Sequence, residues 1–353
     1  MKIIVDAMGG DNAPFATAEG SILAAKEFGV DVVLVGQGAK IRDAMEKLGH
    51  GELPKGIEVA EASQVVTMED DPASSIREKK DSSLVVGLKL LRDGGGDAFV
   101  SAGNTGALLT GGTLIAKRIP GIRRAALSPV IPNKESSMLL IDCGANAECT
   151  PEYLLQFALM GSYYAKYALK RLNPRVGLLN NGTEESKGTA LQKETHQLLK
   201  QAHEAGNINF VGNVEGREMM MGGVDVVVCD GFTGNILLKT VEGAALYLMG
   251  ELKTIFKRSF KTKLAALLVK DGLMELKGKV DVGEIGGTAL LGISKPVIKA
   301  HGNANGYAIR SAIRQARDLA QSTIIQDIAA DIDQIKLEQK KQGGTEDDSG
   351  ETA

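Results

Sequence analysis

The chain has 353 residues, 43 % of them hydrophobic and 24 % charged, with a formal net charge of −3. That length and balance suit one large α/β domain or two lobes of a soluble globular protein with a sizeable core. They give no global case for nucleic acid; the three cysteines fit a reducing cytoplasm better than a disulfide scaffold, and no apolar run is long enough to cross a membrane.

Lys2 to Val5 reads as a buried strand entered at once from Met1 without a signal peptide, so a cytoplasmic protein is expected. The loop Asp6-Ala7-Met8-Gly9-Gly10-Asp11-Asn12-Ala13-Pro14 ends it. Asp11 or Asn12 is the expected cap of a helix running to about Phe28. A strand from Asp31 to Val35, a helix from Ala39 to Leu48 and a strand from Ile57 to Ala60 set the rhythm of a parallel sheet. Val65 to Ser82 is charged and irregular, with a short helix near the sheet's rim; Ser83 to Asp93 is helical.

Asp97 to Val100 reads as a short strand that runs into Ser101-Ala102-Gly103-Asn104-Thr105-Gly106, followed by a helix from Ala107 to Ala116. A Gly-broken turn at a helix start leaves backbone N–H groups pointing outward, where the helix dipole favours an anion such as phosphate. Ser101, Asn104 and Thr105 add hydroxyl and amide groups. The competing reading is a tight turn capped by Asn104 or Thr105, and the segment alone does not separate the two.

Arg123 to Val130 and Ser137 to Ile141 read as paired strands leading into Asp142-Cys143-Gly144-Ala145-Asn146 and a helix from Pro151 to about Lys170. A strand from Arg175 to Leu179 precedes Asn180-Asn181-Gly182-Thr183-Glu184-Glu185-Ser186-Lys187-Gly188 and a helix through Ala205. Asn209 to Val211 is a short strand, and Asn213-Val214-Glu215-Gly216-Arg217 a loop. Val224 to Cys229 has the apolar run of a central strand, ending in Asp230-Gly231-Phe232-Thr233-Gly234-Asn235. Gly283 to Thr288 and His301-Gly302-Asn303-Ala304-Asn305 are further loops before a helix from Ala308. Residues 336–353 read as a disordered tail behind a single domain of residues 1–335.

The repeated theme is an apolar strand, then Asp, Asn or Ser with Gly, then a helix. Such loops gather at the strands' carboxyl ends, where ligands bind open parallel sheets. No G-x-G-x-x-G with its acidic partner, no G-x-x-x-x-G-K-[ST] and no G-x-S-x-G is present, which argues against dinucleotide binding, a nucleotide triphosphatase and an α/β-hydrolase. Lys187 at a helix start is a candidate point charge for phosphate, its alternative being a solvated surface lysine. His301 is a candidate general acid. Asn235 is either an oxyanion donor or an N-cap. Cys143, with no base nearby in sequence, reads as structural. No metal-binding spacing is present.

Asp6 to Asp11, Ser101 to Gly106, Asp142 to Asn146, Asn180 to Gly188, Asn213 to Arg217 and Asp230 to Asn235 together resemble the hallmark motifs of the PlsX phosphate acyltransferases. Asn181 and Gly287-Thr288-Ala289 depart from the pattern in loop shape. The resemblance implies an isocitrate dehydrogenase/phosphate acetyltransferase-like fold, an open and mostly parallel sheet with helices on both faces. It implies an enzyme that makes acyl phosphate for phospholipid synthesis from acyl carrier protein thioester and inorganic phosphate, needing no cofactor. The alternatives are a phosphotransacetylase-like enzyme using coenzyme A esters and a non-catalytic lipid-synthesis scaffold. On this chemistry Lys187, Asn235 and His301 are the expected catalytic residues. Ser101, Gly103, Asn104, Thr105, Gly106, Asp6, Asp11, Asn146, Asn180 and Asp230 are the expected phosphate and substrate contacts. The resemblance also implies a homodimer on the inner face of the cell membrane, with a membrane glycerol-3-phosphate acyltransferase downstream as a further partner.

Leu252 to Val269 carries Phe256, Phe260, Leu264 and Leu268 at every fourth residue, with Leu267 beside them and five Lys or Arg around them. The spacing predicts one amphipathic helix in a protrusion over about residues 250–275. Either it is a core or dimer-interface helix with solvated lysines, or it attaches to anionic lipid through Phe260, Leu264, Leu267 and Leu268.

Overall fold

The computed structural model describes residues 1–274 and 286–332. The predicted Gly283 to Ile285 loop start and the tail 336–353 lie outside the described residues.

Strands β1 (Lys2–Asp6), β2 (Asp31–Gly36), β3 (Ile57–Glu61) and β4 (Ala98–Ser101) run parallel in the order β3-β2-β1-β4. Their side chains alternate between two apolar layers, as a pleated strand buried on both faces requires. Ile3, Val5, Val32 and Leu34 pack toward α1 (Phe15–Phe28) and the last long helix. Ile4, Val33 and Phe99 face α4 (Ser83–Arg92) and α5 (Thr105–Gly111). Helices α2 (Gly38–Lys47) and α3 (Pro72–Glu78) complete this half, and α5 runs on into a π-helical turn at Gly112–Ala116.

The predicted pairing of Arg123 to Val130 with Ser137 to Ile141 is split at Pro129. The stretch forms β5 (Ala126–Ser128) and β6 (Val130–Pro132), which join different sheets. Only β6 pairs with β7 (Ser137–Ile141), in antiparallel register. Proline lacks the ladder N–H, so a strand passing through it is interrupted there. The open architecture is thereby divided into a seven-stranded and a five-stranded sheet.

The second sheet runs β6-β7-β10-β8-β9, with α6 (Pro151–Tyr167), β8 (Arg175–Leu179), α7 (Ala190–Glu204), β9 (Asn209–Val214), α8 (Gly216–Met221) and β10 (Val226–Val228). The all-valine β10 lies inside the sheet between parallel β7 and β8, as its apolar run predicts. Its Val227 faces α8 and α9 (Gly231–Lys257), whereas Val226 and Val228 face α6 and α7.

After α10 (Phe260–Leu268), the chain returns as β11 (Thr288–Leu291) and β12 (Val297–Lys299), then α11 (Gly306–Gln321). β12 lies parallel to β4, and antiparallel β11 sits between β12 and β5 to complete the seven-stranded sheet. α11 presents Ile309, Ala312, Ile313, Ala316 and Leu319 to the core and packs on α1. Gly20 makes that approach possible: a Cβ there would stand 2.6 Å from Gly306 O and from Ile309 Cβ.

The predicted helix through Leu252 to Val269 is two helices. Ser259 is extended and caps the second through Thr262 N–H, so the four-residue spacing from Phe256 to Phe260 crosses a break. None of the α10 side chains is buried.

Candidate active site

Three loops of the first sheet, after β1, β4 and β12, meet at the strands' carboxyl ends. Asp6 ends β1 and is buried; its Oδ2 accepts the Ser101 hydroxyl at 2.7 Å, and the same hydroxyl oxygen accepts Gly103 N–H at 3.0 Å. Burial holds the Asp6 carboxyl above its ordinary range, against hydrogen bonds from Ser83, Ser101 and the N–H groups of Met8 and Gly9. A Cβ on Gly9 would lie 2.7 Å from Gly103 N, so glycine lets the two loops touch. Asp11 N–H donates to Gly302 O at 2.8 Å, and Asn12 Nδ2 to Asn303 O at 3.0 Å, tying in the His301 loop. The expected capping by Asp11 or Asn12 is therefore not seen. Pro14 occupies the N-cap position without a side-chain bond, because Asn12 is committed to residues 303 and 304.

Asn104 is the cap of α5: its Oδ1 accepts Ala107 N–H at 3.0 Å. Its Nδ2 points toward the carbonyls of Thr67, Met68 and Asp70 at 3.2–3.3 Å, holding the irregular segment 67–70 over the turn. Gly106 lies under Pro72, whose Cγ would stand 2.6 Å from a Cβ there. The cap and the close packing account for these two residues as structure. Thr105 is the first helical residue and is partly exposed.

The second sheet contributes the loops after β7, β10 and β8. Asp142 is buried, and its carboxylate accepts Leu127 N–H at 2.9 Å, Asn146 N–H at 2.7 Å and Asn146 Nδ2 at 2.9 Å. Burial raises its carboxyl above the ordinary range, and these donors oppose the rise. Asn146 spends its other amide hydrogen on Ala125 O at 2.8 Å, while its carbonyl accepts Gly231 N–H at 2.7 Å. Asp230 caps α9, its Oδ1 accepting Thr233 N–H and its Oδ2 the Thr233 hydroxyl, both at 2.8 Å. Asn235 is thus not the cap; it lies exposed one turn along, beside Gly144. Cys143 and Cys229 are buried, and burial raises both thiols, which supports a structural role.

Ala145 packs against the apolar layer of the first sheet, which ties the β7 loop to that sheet. Lys187 is exposed on the loop after β8; Asn180 Nδ2 donates to its carbonyl at 3.2 Å, and its own N–H donates to Glu184 O. Among the described residues no hydrogen bond or ion pair joins Lys187 to the Ser101–Gly106 turn. His301 is exposed, with Nδ1 at 2.7 Å from Asn303 Oδ1.

Sequence reasoning passed over Lys299, the last residue of β12. It is a cation in an apolar strand, paired in register with Ser101 and two residues ahead of His301. That isolated charge was the available signal. Its Nζ donates to Ala102 O at 3.3 Å and to Ala300 O. Burial lowers its ammonium from 10.5 to about 8, while Asp6 and Asp11 pull upward and Lys239 of α9 pushes further down. Asp142 was read only as part of a motif, although it organises its whole loop.

A family model described as "Fatty acid synthesis protein" matches residues 1–327. A phosphate acyltransferase of Alkaliphilus oremlandii is 47 % identical over 335 residues, covering 95 % of this chain and 98 % of that relative. One of Bacillus licheniformis is 47 % identical over 342 residues, covering 96 % and 99 %. A phosphotransacetylase structure from Streptococcus pyogenes aligns with a TM-score of 0.58 at 17 % identity, over 91 % of this chain and 94 % of its own. A branched-chain phosphotransacylase from Enterococcus faecalis aligns at 0.54 with 14 % identity, over 90 % and 99 %. At such identities the two structures bear on the fold alone.

Proposed function

This chain belongs to the fatty acid synthesis protein family, and from that premise we propose that it transfers a fatty acyl group from acyl carrier protein thioester to inorganic phosphate. It is a transferase. The observation that most supports the reading is the meeting of the motif loops after β1, β4 and β12, locked by Asp11 N–H to Gly302 O at 2.8 Å. Phosphate is itself a competent nucleophile, so the site has only to hold it against the thioester carbonyl and stabilise the oxyanion. A phosphate oxygen attacks the carbonyl carbon and forms the new C–O bond. The tetrahedral intermediate then collapses with loss of the C–S bond, releasing acyl phosphate and the carrier thiolate.

In this scheme the Ser101–Gly106 turn seats phosphate, with Asp6 orienting Ser101. Asn235 donates to the oxyanion from the second sheet. His301, its Nδ1 held by Asn303, delivers a proton to the departing sulfur through Nε2. Lys187 supplies an exposed positive charge for the approaching anionic substrates. Asp11, Asn146, Asn180 and Asp230 shape the loops that carry these groups.

The exposed apolar residues of α9, among them Leu246 and Leu248, suit burial against a second copy, and those of α10 suit an anionic bilayer. We assign the working place of the enzyme to the cytoplasmic membrane surface accordingly.

The test supplies purified protein with phosphate and, in turn, acyl carrier protein and coenzyme A esters of one fatty acid, and quantifies acyl phosphate. Preference for the carrier-protein ester by kcat/KM is expected. Preference for the coenzyme A ester would transfer the reading to a phosphotransacetylase-like enzyme; no acyl phosphate from either would leave a scaffold.

A further inference from the structure

The acyl-transfer scheme leaves one buried charge without a task. Lys299 is 8 % exposed, on a strand whose neighbours Val297 and Ile298 are fully buried. An ammonium removed from water is unfavourable unless it is paired, and both hydrogen-bond partners of Lys299 are neutral carbonyls, Ala102 O and Ala300 O. Among the described residues no carboxylate lies within ion-pair distance of its Nζ; Asp6 and Asp11 act on it from further away. An ammonium has three donors, so one N–H remains after the two carbonyls.

The position of this charge narrows what it can serve. Ala102 lies in the turn after β4, and Ala300 directly precedes the His301 loop, so Nζ bridges two of the three loops that meet there. A buried cation with spare donor capacity, bridging two loops at the strands' carboxyl ends, suits a small, strongly charged anion.

We propose that the ammonium of Lys299 is the cation of the phosphate subsite, donating to an oxygen of inorganic phosphate seated on the Ser101–Gly106 turn. This rests on the acyl-transfer reading and replaces the expected pairing of that turn with Lys187. The charged groups that act on Lys299 are Asp6 of β1, Asp11 of the following loop and Lys239 of α9. Because the ammonium titrates at about 8, it loses its charge on the alkaline side while phosphate stays dianionic, so phosphate binding weakens as pH rises through that value.

The experiment uses the full chain as wild type, Lys299→Met and Lys187→Ala. It measures the KM for phosphate and for the acyl donor, and phosphate binding by calorimetry from about pH 8 to about pH 10, where inorganic phosphate is dianionic. In Lys299→Met the phosphate KM should rise about tenfold or more, as loss of a charge-assisted hydrogen bond implies, with the donor KM little changed. Lys187→Ala should move the phosphate KM less. Wild-type phosphate binding should weaken across the pH range, and Lys299→Met should lose that dependence. An unchanged phosphate KM in a folded Lys299→Met, or wild-type phosphate binding that stays flat with pH, overturns the proposal. If Lys299→Met does not fold, the wild-type pH series decides. Wild type that makes acyl phosphate alongside a negative Lys299 result removes only this assignment. Wild type that makes none removes the acyl-transfer reading, and calorimetry still reports on the subsite.

Discussion

At the residue scale, most of the polar groups in the motifs hold loops, and a few stay exposed. Asn104, Asn146, Asn180 and Asp230 have their side chains bonded to backbone within their own or adjacent loops, whereas Asn235 and His301 face outward. Replacing Asn235 or His301 by Ala should therefore lower kcat by roughly tenfold to a thousandfold while the protein stays folded. Steady-state rates with circular dichroism as the folding control decide it, and full turnover in either variant removes that residue from the scheme. Lys299 shows the opposite balance. Its ammonium is lowered in the fold, so the unfolded chain binds more protons between about 8 and 10.5, and stability rises with pH through that window. Below about 8 the fold carries the full penalty of the buried charge. The side chain was hard to single out because a lysine ending a short strand reads as a solvated edge; only the register with Ser101 puts it inside.

At the element scale, strands and helices were legible where apolar runs had clear ends. β1, β8, β10 and α1 fall where the apolar runs predict them, and Gly29, in the left-handed region, ends α1 after Phe28. Two elements were not. Pro129 divides what reads as one strand, and the sheet each half joins depends on contacts distant in sequence. Ser259 starts a new helix inside a stretch whose apolar spacing continues through it. That break gives the membrane proposal its form: α10 exposes Phe260, Leu264, Leu267 and Leu268, with Lys261 and Lys263 on the same helix. No described helix is long and apolar enough to cross a membrane. Leu264→Glu and Leu268→Glu should release the protein from anionic liposomes in co-sedimentation. Variants that fold and remain bound like wild type would reassign the helix to a protein interface.

At the scale of the whole molecule, two mostly parallel sheets turn their motif loops toward one another across the β5–β7 junction. Leu127 N–H of β5 bonds to Asp142 after β7, and Lys239 of α9 acts on Lys299 of β12, so the two sheets meet at these loops. The motifs could be found in sequence because each follows an apolar strand. Which of them touch was not legible, since strand order brings residues 6 and 101, from the first third of the chain, together with 299 from the last. In the proposed reaction a phosphate oxygen becomes the bridging oxygen of the product. This is tested most directly by supplying fully 18O-labelled phosphate with acyl carrier protein thioester and weighing the acyl phosphate formed. The account predicts that the product retains every labelled oxygen. Unlabelled fatty acid in place of acyl phosphate, with its new oxygen drawn from water, would contradict it.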